Sequence, residues 1–383
     1  MKEPHRSNPG QQSRLNLVLL VTLALLLIAA SVVLVLTIPK SEALPTDTGP
    51  SITSTATLAG FETDAVEAQQ LVPFASGVVK LTANRVAYLD MMGAEIYSVD
   101  AEMSAPFAVT QGDRLLAGDK DGHSYILLSP GGEISRGSTT GILRGAAIAP
   151  DGHFALITDP TESTGVVKIF EPVQGKWLFD CLFPDSGFVL SVAFTKDSQA
   201  FDVSLLNTNG SKVHPILKRL SITGQTLGQR ILDDAQIYPQ IVYDQDGMPV
   251  LCGNAGIVAV SYEKADPLYQ VSLPSVRSVS GSDSGLLILY AETTDGRQRL
   301  TIRTADGKQS EPIAIGDETS NLAVNGKYAV IGSGTRIFFI DLAQQAILEE
   351  RNMATEIIRV GFATDGTLTV VMRNGVRQLT IPK

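Results

Sequence analysis

"IAPDGHFALITD", residues 148–159, sets an apolar run, an Asp-Gly pair and a second apolar run side by side. Near the other end of the chain "FATDGTLTVVMR", residues 362–373, says nearly the same thing. Asp-Gly supports a tight two-residue hairpin turn, because Gly accepts positive φ without steric cost and Asp tolerates it better than most residues. The run after the first turn, Phe154 to Thr158, is apolar and β-branched with little alternation, which suits a strand covered on both faces.

The same event occurs at eight points: Asn84-Arg85, Gly112-Asp113, Asp151-Gly152, Asp197-Ser198, Asp246-Gly247, Asp283-Ser284, Asn325-Gly326 and Asp365-Gly366. Successive turns lie roughly 28 to 49 residues apart, most near 40, the period of a four-stranded propeller blade. Helical solenoids share that period but need amphipathic helices, which this sequence lacks. Each repeat also carries a second half. "HSYILLS" follows Asp121-Gly122, "GVVKIFEP" leads to "KWLFDCLFP", and "RLTIRTADGKQSEPIAI" holds a hairpin around Asp306-Gly307. In "TRIFFIDLAQQAILEER" the last stretch reads as a strand or as a short helix. The expected unit has four short strands, apolar on the inside and more polar outside, as radial stacking of sheets imposes.

An open propeller would expose a long sheet edge, so the ends should interlock. The last unit, residues 356–381, has room for three strands, and its fourth is expected from residues 61–75. The reading is all-β: a β-propeller of eight four-stranded blades, with seven as the alternative, occupying residues 59–383.

A different segment precedes it. Residues 15–38, "LNLVLLVTLALLLIAASVVLVLTI", carry no charge and only Asn16, Thr22, Ser31 and Thr37 as polar interruptions. At about 1.5 Å per residue such a helix spans a hydrocarbon core of roughly 30 Å. A cleaved signal peptide is the alternative, with Ser41-Glu42-Ala43 as cleavage site, but its apolar region would be only about 7–15 residues long. Lys2, Arg6 and Arg14 precede the segment and Lys40 alone follows closely, so residues 1–14 are expected to be a cytoplasmic tail and the propeller extracytoplasmic. Residues 39–58, rich in Pro, Ser and Thr, read as a linker with a typical reach of about 25 Å if flexible.

Beyond residue 40 there are 26 basic and 39 acidic residues, a balance with no general attraction for nucleic acid or anionic lipid. Cys181 and Cys252 fall in different repeats, which points to two free, buried thiols. Of the four histidines, His5 lies in the tail, and His123, His153 and His214 are scattered without zinc spacing. There is no Gly-x-Ser-x-Gly elbow. Asp119 and Asp121 sit near a glycine, but out of register for a calcium loop, so a tight turn is expected. Arg297, Arg299 and Arg303 alternate along one strand face, read as the solvated side of an outer strand rather than an anion stripe. Trp177 is expected to pack between sheets, and Asn209-Gly210-Ser211 fits a glycosylation acceptor. No catalytic, cofactor-binding or metal-ligating residue is assigned.

The stretches at residues 112–134, "GDRLLAGDKDGHSYILLSPGGEI", 151–177, "DGHFALITDPTESTGVVKIFEPVQGKW", and 325–342, "NGKYAVIGSGTRIFFIDL", carry a family likeness. With the apolar segment and linker, they make the chain resemble a membrane-anchored β-propeller family of uncharacterised function, known mainly from anaerobic Gram-positive bacteria. The resemblance implies a propeller of the quinoprotein-like or WD40-like type and brings no catalytic residue. The chain lacks the Gly-His and Trp-Asp pairs of WD40 repeats and, with one tryptophan, the repeated docking motifs of quinone-cofactor enzymes. The expected role is a binding module for a protein or cell-envelope ligand held on one ring face. The alternatives are a propeller enzyme with an axial-funnel site (lactonase, lyase or quinoprotein) and an envelope-assembly scaffold.

Overall fold

Repeats that present apolar residues on both faces of a sheet can bury them only against neighbouring sheets. The computed structural model describes residues 53–54, 69–159, 165–184, 186–292, 296–317, 319 and 321–381. Among these, 32 strands form eight four-stranded antiparallel sheets. Seven sheets are built from consecutive strands and cover residues 71–100, 106–138, 142–182, 188–231, 240–272, 276–316 and 322–352. The eighth joins three strands of residues 357–380 to Thr53–Ser54. These are blades 1 to 8. From blade 2 round to blade 8, and from blade 8 to blade 1, the first strands of successive blades pack on one another, whereas among the fourth strands those of blades 1 and 2 do, so the sheets diverge radially from an axis.

Each seam between blades has its own apolar cluster. Leu116, Phe154 and Phe170 join blades 2 and 3, where the two phenylalanine rings stack with centroids 4.5 Å apart. Phe201, Val203 and Phe183 join blades 3 and 4. The seam that closes the ring, between blades 8 and 1, holds Leu71, Val78, Val371 and Val376. Second strands are covered on both sides, and Gly285–Ala291 is buried throughout. Fourth strands such as Thr226–Ile231 are mostly exposed. The expected gradient from apolar inside to polar outside therefore holds, with exceptions taken up below.

The eight-bladed reading is borne out, and three details change. In blades 2 to 8 the turns named above join the first strand to the second. In blade 1, however, Asn84-Arg85 follows the second strand, Gly77–Leu81, and the first turn is Ala75-Ser76, with Ala75 at φ 47°. An L-alanine rarely adopts that conformation, so the turn carries no sequence signal. The strand completing blade 8 is Thr53–Ser54, paired with Thr380 and Leu379, and lies within the stretch read as linker. Within residues 61–75, Leu71–Phe74 is the first strand of blade 1 itself. Finally, "AQQAILEER" contributes a strand, Ala346–Asn352.

The segment at 15–38 lies outside the described residues, and among those described no helix is long and apolar enough to cross a membrane. Cys181 sits on the fourth strand of blade 3 and Cys252 on the second strand of blade 5, both free and buried. Burial pushes the Cys181 thiol up to about 11, with Asp180 adding to the effect, and pushes Cys252 up to about 12. Both should resist a thiol reagent in the folded protein and react fully after denaturation, with or without prior reduction. A native disulfide found by mass spectrometry would contradict this arrangement.

Candidate functional site

The structure separates most of the side chains singled out from the sequence. His123 directs Nδ1 to the Gly141 carbonyl at 2.9 Å, in the turn between second and third strands of blade 2. His153 lies 2.9 Å from Asp151 in the first turn of blade 3, at the opposite end of its sheet, and His214 begins the third strand of blade 4. The Asp119 carboxylate accepts the Ala105 N–H at 2.7 Å, and Asp121 pairs with Arg144 at 2.9 Å, so this loop is the tight turn expected. Asn209-Gly210-Ser211 is exposed in the loop between second and third strands of blade 4.

Two expectations are corrected. Arg299 and Arg303 lie on the third strand of blade 6, Gln298–Arg303, not on an outer one, and Arg297 precedes the strand. Arg299 pairs with Glu292 at 2.5 Å, while Arg303 stacks on the Tyr269 ring of blade 5, 3.7 Å from its centroid. Arg299 thus finds its partner within its own blade, at the end of the second strand, and Arg303 finds its partner on the neighbouring blade. Trp177 does not pack between sheets: it is 59% exposed, with its indole N–H donating to Asp180 at 2.7 Å.

Trp177 is part of a wider pattern. On the fourth strand of blade 3, Leu182 is 63% exposed, and on that of blade 4, Leu227 and Ile231 are 55% and 58% exposed. Among the described residues, five of the thirteen exposed large apolar side chains, Leu178 included, lie on these two outer strands. An outer strand is also an open edge, and here it is blunted by a bulge. In blade 3, Leu178 is an extra residue between Trp177 and Phe179, whose partners Phe170 and Ile169 are adjacent. Leu227 takes the same place in blade 4, and Ile96, Ile134 and Leu348 take it in blades 1, 2 and 7. An apolar second or third residue in these five outer strands (the middle letter of "EIY", "EIS", "WLF", "TLG" and "ILE") is the signal that could have revealed these bulges.

Charge is buried at one seam. Asp202, on the second strand of blade 4 and 0% exposed, receives Arg219 through both oxygens at 2.8 and 2.7 Å. From blade 5 the Tyr262 hydroxyl donates to it at 2.6 Å, and that of Tyr243 lies 2.9 Å from it and from the Ala193 carbonyl. Burial first, and Asp202 second, push both phenols far above their ordinary range, while the carboxylate holds the Arg219 guanidinium up. With its carboxylate fully buried and its bonds satisfied from both blades, this group is a clip between blades 4 and 5.

Near the axis the eight innermost strands carry three charged residues, Arg144, Arg277 and Arg359, and no Asp, Glu, His or Lys. Bulges place Arg144 and Arg277 as the extra residues of their strands. Arg144 pairs with Asp121 and Asp159 at 2.9 and 2.8 Å. Arg359 instead borders a cavity of about 500 Å³ between the innermost strands of blades 1, 2 and 8, walled by Val72, Pro106, Phe107 and Ala108.

With this geometry in view, residues 51–381 match the profile described as a family of unknown function, DUF5711. The chain belongs to that family. The matched span begins just before the strand that closes blade 8, so the DUF5711 unit and the ring coincide. Among curated proteins none matches this DUF5711 chain. Among solved structures it is similar to the computationally designed Ika8 protein, with 15% identity over 87% of this chain and 100% of that one and a TM-score of 0.63. It is also similar to BamB from Moraxella catarrhalis, with 15% identity over 86% and 97% of the two chains and a TM-score of 0.54. A further likeness is to the dihydro-heme d1 dehydrogenase NirN in complex with DHE, with 14% identity over 86% and 76% and a TM-score of 0.59. At these identities the likeness is one of fold.

Proposed function

We propose that this DUF5711 chain is a membrane-anchored, extracytoplasmic binding or scaffold module that docks a protein or cell-envelope ligand on the outer strands of blades 3 and 4. The observation that carries the reading is the exposure of Trp177, Leu182, Leu227 and Ile231 together on the outer strands of two adjacent blades. Aromatic and aliphatic side chains grouped on a surface cost free energy in water and recover it on burial against a partner. The apolar segment at 15–38, with three cations before it, supports anchoring with the ring outside. So does the resemblance of residues 112–134, 151–177 and 325–342 to anchored propellers of Gram-positive anaerobes. The alternative, an enzyme in the axial funnel, calls for converging acids or metal ligands, and the innermost strands supply arginines as their only charges.

One experiment addresses location and docking together. Single cysteines replace Leu182, Leu227 or Lys308, the last a solvated control on blade 6, and intact cells are treated with a membrane-impermeant maleimide. Labelling at 308 is expected if the ring is outside the membrane, with clearly slower labelling at 182 and 227. The three positions should react at similar rates in the purified protein. No labelling at 308 until the cells are lysed would overturn the topology. Equal rates at all three positions in cells would overturn docking on this sector.

A further inference from the structure

Arg359 has an unusual setting among the arginines of the ring. Arg219, Arg299 and Arg351 are also partly buried, and each faces a carboxylate: Asp202, Glu292 and Glu349. Among the described residues the Arg359 side chain makes one hydrogen bond, from Nη1 to the Leu71 carbonyl at 3.1 Å, across the seam between blades 8 and 1. A guanidinium has five N–H donors, so most of its donating capacity remains. Burial shifts its pKa downward, and no acidic group among the described residues acts against it. A desolvated cation without a counter-charge is costly, and the arrival of an anion would remove that cost.

The space beside it is suited to such an arrival. The cavity of about 500 Å³ is bordered by the polar residues Arg359, Gln69, Gln70 and Thr110 and by the apolar Val72, Pro106 and Ala108. Small-molecule sites commonly occupy about 300–1,000 Å³ and combine apolar walls with a few polar groups that orient the ligand. A guanidinium matches carboxylate and phosphate oxygens in a planar two-point contact. The innermost strands place no acid at this end of the axis to repel an anion. Asn321, also at the cavity, spends its amide on the Val360 backbone at 2.7 and 2.8 Å and so stiffens the strand that presents Arg359.

We propose that this cavity between the innermost strands of blades 1, 2 and 8 binds a small amphipathic anion, with its carboxylate or phosphate group on the Arg359 guanidinium and its short apolar end against Pro106 and Ala108. The site is separate from the outer sector of blades 3 and 4 and stands or falls independently of it.

Calorimetric titration of the full chain in detergent, with sodium butyrate and with monobutyl phosphate, tests this, and butan-1-ol serves as the uncharged control. At least one anion should bind saturably at one site per chain, and the alcohol at least about tenfold more weakly, as loss of charge-assisted hydrogen bonds implies. The two anions distinguish a carboxylate from a phosphate preference. Arg359→Met should abolish saturable binding. Because that change also removes the bond to Leu71, Ala108→Phe is tested beside it: it fills the cavity and leaves Arg359 and its seam contact in place. Ala108→Phe should weaken binding by a similar factor. Absence of saturable binding by either anion, binding of the alcohol as tight as that of the anions, or retained affinity in Arg359→Met or Ala108→Phe would overturn the proposal.

Discussion

Replacing Asp202 by alanine should lower the free energy of unfolding by about 3 kcal/mol or more, the cost of removing one partner from a buried ion pair. The substitution strands the Arg219 guanidinium, which now meets the carboxylate through two bonds, and leaves the Tyr262 hydroxyl without its acceptor at 2.6 Å. Tyr243 keeps the Ala193 carbonyl as an alternative acceptor, so its share of the loss is smaller. Removing the whole set, with Asp202→Leu, Arg219→Met and Tyr262→Phe together, should recover most of the stability, because a packed apolar group can replace a buried pair at little net cost. Chemical denaturation of the two variants beside the wild type checks both statements. If the single variant unfolds at the wild-type denaturant concentration, the clip does not hold blades 4 and 5.

At the closing seam a single methyl should act as a wedge. A Cβ built on Gly361, in the first strand of blade 8, would lie 2.7 Å from Cβ of Pro73 in the first strand of blade 1. Real Cβ contacts are never this short, and a proline ring cannot rotate away, so Gly361→Ala must move one blade against the other. Overpacking of this kind costs about 1–3 kcal/mol. This seam is sensitive because its cluster is small, with Leu71, Val78, Val371 and Val376 at its centre. Hydrogen exchange should therefore accelerate in blades 1 and 8 and stay slow in blade 4. Gly131→Ala, where the nearest atom is 3.8 Å away, is the control and should change stability by less than about 0.5 kcal/mol. Uniform acceleration over all blades, or none, would contradict a seam at this place.

How far the sequence could be read follows from the kind of signal each feature leaves. The turns at Asp151-Gly152, Asp246-Gly247 and Asp365-Gly366 were legible because their glycines sit at φ 95°, 73° and 87°, values that select residue type locally. Asp197-Ser198 was legible through its aspartate even though Ser198 takes φ 58°. Ala75 satisfies the same backbone demand without a local marker, so the first blade was misaligned by one strand. The closing strand is two residues long in a Ser/Thr/Pro stretch, and two residues paired to Thr380 and Leu379 are too few to show a periodicity. Arg359 was invisible as a site residue for a different reason. Nothing in "IIRVGF" distinguishes a solvated arginine from one facing a cavity, since that depends on blades 1 and 2 arriving beside it.

The central claim is a ring of eight blades closed by a strand from before the first repeat. Cysteines placed at Thr53 and Thr380 test it most directly, since these positions are register partners in the last sheet. Opposed residues of an antiparallel pair have Cα atoms about 4.5–5.5 Å apart, within the span a disulfide bridges. Mild oxidation should join them within one molecule, giving faster migration on a non-reducing gel and a linked peptide pair by mass spectrometry, while Cys181 and Cys252 stay reduced. Absence of the intramolecular link under conditions that oxidise exposed thiols would contradict closure by residues 53–54.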